Sequence, residues 1–428
     1  MGLFSDAAHL LNEALAEENK YSSKKYDEVA DIVDEEGALE LDKGQYPDAE
    51  RKFREALEIR QRTLGVNNVK VAMSLDHLAV ALQQQGQYTN ARPLFEQALR
   101  ILRLRQTRGR IMTDVISDKG MLFVDISEFK EAEMMFRDAL ELDQRDIGIN
   151  TLSVAVDHNN LSLAARGLGR LDIAEVELRR SLAIRESIVG AKSLQVATVL
   201  NNLAIVIQER GKDKEAESMY RRTLDILRAF LGEEHPEVAT TLSNLANALL
   251  NEGKTAEAEA LILRALELRR RTLGNSHPVT IATLANLGYF YLAQHNLTKA
   301  DNFLRQALAL QNSSQQRDLV SIGTTMTNLA EVLIAEGRSF EAEKTLRMAI
   351  ENYKKKLDSR HWLIMNAESL LGRCLIDLKQ FEEAELLLKD SAAELKKSRG
   401  SDSETYQRTL RYLSILYRTH PKKNSQLK

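Results

Sequence analysis

Cysteine occurs once in these 428 residues, at Cys374. An intrachain disulfide and a cysteine-built metal site are therefore both excluded. Proline (5) and glycine (20) are scarce, which leaves little room for long turn-rich segments, and aromatics at 5 % disfavour sheets. No window comes near the roughly 18 uninterrupted apolar residues that a membrane-spanning helix needs. Met1–Leu15 lacks the basic region and apolar core of a secretory leader. An excess of one charge is also missing: 59 basic side chains stand against 62 acidic ones, a formal charge of −3. Such a chain exerts no long-range attraction on nucleic acid or an anionic membrane. A reducing cytoplasm is the expected setting.

What the sequence does contain is a period. A glycine or small polar residue is followed two positions later by a larger residue and five positions later by alanine. The motif reads Gly44, Tyr46, Ala49; then Gly86, Tyr88, Ala91; then Ser127, Phe129, Ala132. It continues through Gly169, Gly211, Gly253, His295, Gly337 and Lys379, with alanines at 174, 216, 258, 300, 342 and 384. The step is 42 residues throughout, except for 41 between Gly86 and Ser127. A fixed period of this length signals stacked supersecondary units.

Each period divides into two helices. In one unit, Gln195–Glu209 places Val199, Leu200, Leu203 and Ile207 at helical spacing. Gly211 permits a tight turn, and Lys214–Leu231 forms the second helix around Ala216, Met219, Tyr220 and Leu224. Pro236 and Pro278 suit a first helical position, where the missing N–H costs nothing. The alanine column lets backbones approach, while Leu203, Leu245, Leu287 and Leu329 fill the layer between pairs. One pair cannot bury both faces; stacking makes a continuous core. The organisation expected is a half repeat over residues 1–20, nine helix pairs over 28–400, a closing half repeat over 403–420 and a short basic tail over 421–428. That makes 20 helices.

The small-residue, turn-glycine and alanine columns resemble the tetratricopeptide repeat family. The 42-residue step, the L-x-N-L-A segments and the LG-x-x-HP linkers at Leu231–Pro236 and Leu273–Pro278 are most similar to repeats of the kinesin light chain type. The resemblance covers nearly all of residues 2–420 and implies an all-α fold: a right-handed superhelical solenoid of antiparallel helix pairs, whose first helices line a concave groove. No long heptad region precedes the array, so a place in a motor complex is not expected.

One column does not read as core. Asn160, Asn202, Asn244, Asn286 and Asn328 recur in phase, with His77 and Asp118 in the same column earlier. Asparagine is a middling-to-poor helix former, and its amide both donates and accepts hydrogen bonds. By resemblance to peptide-binding tetratricopeptide domains, these residues are expected to hold the backbone of an extended peptide. Asn201 precedes the column by one, and Asn247 and Tyr289 follow it by three, and these three are placed with them. The alternative is that the amides bond to neighbouring helices and set the repeat angle. Gln83, Arg166 and Gln208 also fall on the inferred groove, which reads as neutral and amide-rich centrally and mixed later.

No catalytic, cofactor-binding or metal-binding residue is nominated. Gly253-Lys254-Thr255 resembles the end of a phosphate-binding loop, but Ala248 replaces the required glycine and no strand precedes it. His235, His277 and His361 recur at linker positions, which suggests capping or packing. The function expected is non-enzymatic: a protein-interaction module holding an extended peptide or helical segment of a partner protein. The alternatives are a self-assembling scaffold joined through its half repeats and a sensor of a signalling peptide or small molecule. A monomer is expected, with an end-to-end or side-by-side homodimer as the other arrangement.

Overall fold

The computed structural model describes residues 23–313, 318–401 and 403–421. The helix expected in residues 1–20, and all but the first residue of the basic tail, lie outside the described residues. Every element of regular secondary structure among the described residues is helical. In chain order these are α1 Ser23–Asp42, α2 Tyr46–Leu64, α3 Val69–Gln84, α4 Tyr88–Leu104, α5 Arg110–Asp125, α6 Phe129–Ile147, α7 Leu152–Gly167, α8 Leu171–Val189, α9 Leu194–Glu209 and α10 Asp213–Leu231. They continue with α11 Pro236–Asn251, α12 Thr255–Leu273, α13 Pro278–Ala293, α14 Leu297–Ser313, α15 Leu319–Ala335, α16 Ser339–Lys354, α17 Trp362–Asp377, α18 Phe381–Arg399 and α19 Glu404–Thr419. The all-helical, helix-pair architecture expected from the period is the one observed.

The chain forms two compact units, one reaching Phe230 and one starting at Leu231. In the first unit, α1 packs on α2, α3 on α4, α5 on α6 and α7 on α8, and each second helix also contacts the next first helix. First helices touch one another directly, α3 against α5 and α5 against α7. In the second unit, the pairs α11–α12, α13–α14, α15–α16 and α17–α18 stack in the same way, with α13 touching α15 and α15 touching α17. The closing helix α19 packs on both α17 and α18.

Packing follows the columns. Ala49, Ala91, Ala132, Ala174, Ala216, Ala258, Ala300, Ala342 and Ala384 are all completely buried. Facing them is a second small column in the first helices. At Gly120 an added Cβ would lie 2.5 Å from the Phe136 ring, and at Gly288 it would lie 2.5 Å from Leu304. Glycine there makes room for a large side chain from the partner helix, a packing reason rather than a turn.

The turn between helices requires a left-handed residue. Gly211 adopts φ 74°, and Ser127, His295 and Lys379 hold the same place at 62°, 56° and 62°. Non-glycine residues accept this conformation at some cost. It returns the chain so that Lys212 N–H reaches Ile207 O at 3.1 Å. The linker histidines are N-caps: His235 Nδ1 accepts from Glu237 N–H, His277 from Val279 N–H and His361 from Leu363 N–H, at 3.2–3.3 Å. Trp362 opens α17 beneath the Arg399 guanidinium, which lies 4.6 Å from its ring.

Candidate peptide-binding face

The asparagine column lies on first helices, with Asn160 and Asn201/Asn202 on α7 and α9 in the first unit. Asn244 and Asn247 on α11, Asn286 and Tyr289 on α13, and Asn328 on α15 belong to the second. Their environments differ. Asn202 Nδ2 donates to Asn159 Oδ1 at 2.9 Å, joining α9 to α7, and the Asn159 amide in turn approaches Asn160 Oδ1 at 3.5 Å. The first of these bonds ties two helices together. By contrast, Asn286 and Asn247 are exposed, and neither side chain bonds to another described residue. Tyr289, one turn after Asn286, is 53 % exposed. Asn328 is half-buried, without a side-chain partner among the described residues.

Three other residues expected on the groove are spent internally. Gln83 Nε2 donates to Asp125 at 2.7 Å. Arg166 forms a bidentate pair with Glu209, at 2.6–3.0 Å from α7 to α9. Gln208 accepts from the Tyr220 hydroxyl at 3.1 Å. Near the other end, Arg408 of α19 pairs with Glu331 of α15 and donates to Asn366 of α17 at 2.7 Å. Arg408 is thus directed at two first helices, where the half-buried Glu331 carboxylate receives it.

The early part of the first-helix face is acidic, unlike the neutral centre expected of the groove. A cavity of about 300 Å³ opens between α3, α5, α6 and α7. Asp76, Asp114, Asp118, Asp143 and Asp157 line it, with Asn160 at its edge. Burial is the main reason that Asp157 is pushed up to about 7 and Asp118 to about 6, with the neighbouring carboxylates adding to it. Asp76 is raised well above the usual carboxylate range for the same two reasons. The basic side chains at hand are peripheral. Arg110 lies 3.4 Å from Asp114 with most of its side chain in solvent, and His77 turns Nδ1 toward Asp34 at 2.9 Å. Asp118 was placed by column alone; Asp114, Asp143 and Asp157 were missed. The available signal was Asp157, a carboxylate in a column otherwise held by Ser74, Val115, Val199, Thr241 and Thr283.

Among the described residues, no group of three or more His, Cys, Asp or Glu is arranged to hold a metal ion. No described helix is long and apolar enough to cross a membrane. Cys374 is buried, its thiol donates to Ser339 O at 2.7 Å, and burial pushes it up to about 11.

Family models of the tetratricopeptide repeat match residues 29–103, 195–262, 237–313 and 321–397, and another model of this repeat matches 159–194. The chain belongs to the tetratricopeptide repeat family. Among solved structures it is similar to the apo form of RapI, at 17 % identity and TM-score 0.55, covering 92 % of this chain and 99 % of that one. It is similar also to the apo form of the quorum sensor NprR from B. thuringiensis, at 17 % identity and TM-score 0.55, covering 85 % and 97 %. A putative kinesin light chain from Podosopora anserina matches at 25 % identity and TM-score 0.42, over 49 % of this chain and 100 % of that one. No curated protein sequence matches.

Proposed function

We propose that this chain is a non-enzymatic interaction module that holds an extended segment of a partner protein against its first helices. The observation that carries this reading is Asn286. It sits mid-helix on α13, exposed, with an amide unused by any described residue and Tyr289 half-exposed one turn further on. A middling-to-poor helix former at such a position needs a reason outside the helix, and an amide can both donate to and accept from a peptide backbone. Asn247, Asn328 and Asn244 extend the contact on α11 and α15, while Asn160, Asn201 and Asn202 mark the corresponding face of the first unit. The near balance of charge supports a protein partner over nucleic acid. The 42-residue period and the LG-x-x-HP linkers support a repeat of the kinesin light chain type, and the single buried cysteine suits a monomer in a reducing cytoplasm.

The test is a displayed library of extended peptides selected on the full chain, followed by rebinding to Asn286→Ala, Tyr289→Ala and their double variant. Each single change is expected to weaken the selected peptides by about 0.5–1.5 kcal/mol, the net value of an ordinary hydrogen bond. The double variant should lose more, with helicity unchanged. Unaltered rebinding by the double variant removes the reading.

A further inference from the structure

In two of the second helices a buried arginine at one repeat position ties first helices together, while Leu102, Arg185, Leu227, Gln311, Tyr353 and Leu395 hold that position in others. In α2 it is Arg60, 3 % exposed. Its guanidinium donates to Asp31 of α1 at 2.7 Å and to Ser74 of α3 at 2.6 Å. In α12 it is Arg269, which donates to Thr240 of α11 at 3.2 Å and to Thr283 of α13 at 2.5 Å. In both pairs a guanidinium joins the first helix of its own pair to the first helix of the next.

Counting by the period, Asp143 occupies this position in α6. Asp114 of α5 stands where Asp31 and Thr240 stand, and Asp157 of α7 where Ser74 and Thr283 stand. The two flanking partners of a guanidinium site are thus present, and the residue that supplies the cation in α2 and α12 is here a third carboxylate. Asp76 and Asp118 complete the cavity wall. Asp76, Asp143 and Asp157 are 5 %, 2 % and 4 % exposed, and each has one carboxylate oxygen without a hydrogen-bond partner among the described residues. Buried carboxylates are ordinarily paired. Among the described residues that line the cavity, Arg110 is the one arginine and lies at the rim, while His77 turns its Nδ1 to Asp34.

We infer that this cavity receives the guanidinium of an arginine side chain carried by a partner protein. The planar fork of five N–H donors suits several converging carboxylates, and this chain uses the same group at the equivalent positions in α2 and α12. A cavity of about 300 Å³ accommodates a side-chain head group, and the carboxylates lack the arrangement a metal needs. The inference rests on the peptide-binding reading for the source of the arginine, but the pocket is tested without the partner.

The experiment is calorimetric titration of the full chain with blocked tripeptides, acetyl-Gly-X-Gly-amide, in which X is arginine, lysine or the neutral isostere citrulline. Free arginine and magnesium chloride serve as separate arms. The arginyl tripeptide is expected to bind roughly tenfold or more tightly than the citrulline one, the loss expected when a charge-assisted hydrogen bond is removed. Lysine should fall between them. Asp143→Arg, which places in α6 the residue α2 and α12 already have, is expected to abolish arginyl binding and to raise the unfolding temperature. Should that variant fail to fold, Asp118→Asn is expected to weaken the arginyl tripeptide while leaving the citrulline one unchanged. The inference is overturned by equal binding of arginyl and citrulline tripeptides, by arginyl binding that survives Asp143→Arg, by binding of magnesium in place of the tripeptide, or by binding of free arginine alone. Any of these leaves the Asn286 and Tyr289 contacts standing, because their test scores peptide binding on α13 and needs no arginine.

Discussion

Arg60 of α2 donates to Ser74 of α3 across 2.6 Å, with both side chains buried. The same guanidinium also holds Asp31 at 2.7 Å and approaches Asp34 at 3.4 Å. Arg269 plays the corresponding part in the second unit with two threonine hydroxyls as its partners.

That difference in partners predicts a difference in cost. Arg60→Met removes the guanidinium beside buried Asp34 and leaves it the His77 ring at 2.9 Å, so a loss of about 3 kcal/mol is expected, at the low end for a broken buried pair because Asp31 is partly solvated. Arg269→Met leaves only hydroxyls behind, each also bonded within its own helix, and about 1–2 kcal/mol is expected. Urea unfolding of the two variants checks the ranking; equal losses would show that the carboxylates contribute nothing.

Gly288→Ala should destabilise the second unit. In an exposed helix interior this change gains up to about 1 kcal/mol. Here the new Cβ meets Leu304 Cγ at 2.5 Å and the Leu304 backbone nitrogen at 3.2 Å. Overpacking of this kind costs roughly 1–3 kcal/mol, so the sign reverses. A thermal melt that shows a gain would mean that the two helices separate freely.

Asp157 gives the first unit a pH dependence. Unfolded, it titrates near its ordinary value of 3.8; folded, at about 7. Between those values the folded state keeps a proton that the unfolded state has lost. The contribution is therefore whole below pH 3.8 and lost as pH rises through 7. Asp157→Asn removes this slope. Relative to the natural chain, it should raise the melting temperature at pH 8 and change it little at pH 4, by roughly 2–4 °C for each kcal/mol recovered. A melting difference independent of pH would remove burial among Asp114 and Asp143 as the cause.

Asn202 and Asn286 should separate structure from binding. Asn202→Ala breaks the 2.9 Å bond to Asn159 and is expected to lower stability by about 1 kcal/mol. Asn286→Ala breaks no bond to a described residue, so its unfolding midpoint should stay within about 0.5 kcal/mol of the natural chain while peptide binding falls. The reverse pattern would place the peptide on the first unit.

Cys374 should be inert. Its thiol is buried, hydrogen bonded to Ser339 O and held up at about 11 by that burial, so almost no thiolate exists near neutrality. Labelling by a thiol-reactive dye at pH 8 is expected only after denaturation; rapid native labelling would show that α17 opens readily.

The sequence by itself determined the helix pair and its repetition. Alanine at 49, 91, 132 and onward can recur at this spacing only if equivalent backbones meet closely, and the turn column through Gly211 marks where each pair reverses. Periodicity also chose the first-helix face, because residues that share a helical phase share a direction. It left open what each polar residue on that face would meet. Asn202 and Asn286 occupy one column, yet one is bonded to α7 and the other is exposed. Asp143 is an ordinary helix residue in the sequence, and only the stacking of α5, α6 and α7 sets it among Asp114 and Asp157. The reason is physical: hydrophobic periodicity is a local property of one helix, whereas the partner of a buried charge is fixed by side chains on other helices, tens of residues away in the chain and adjacent only after packing.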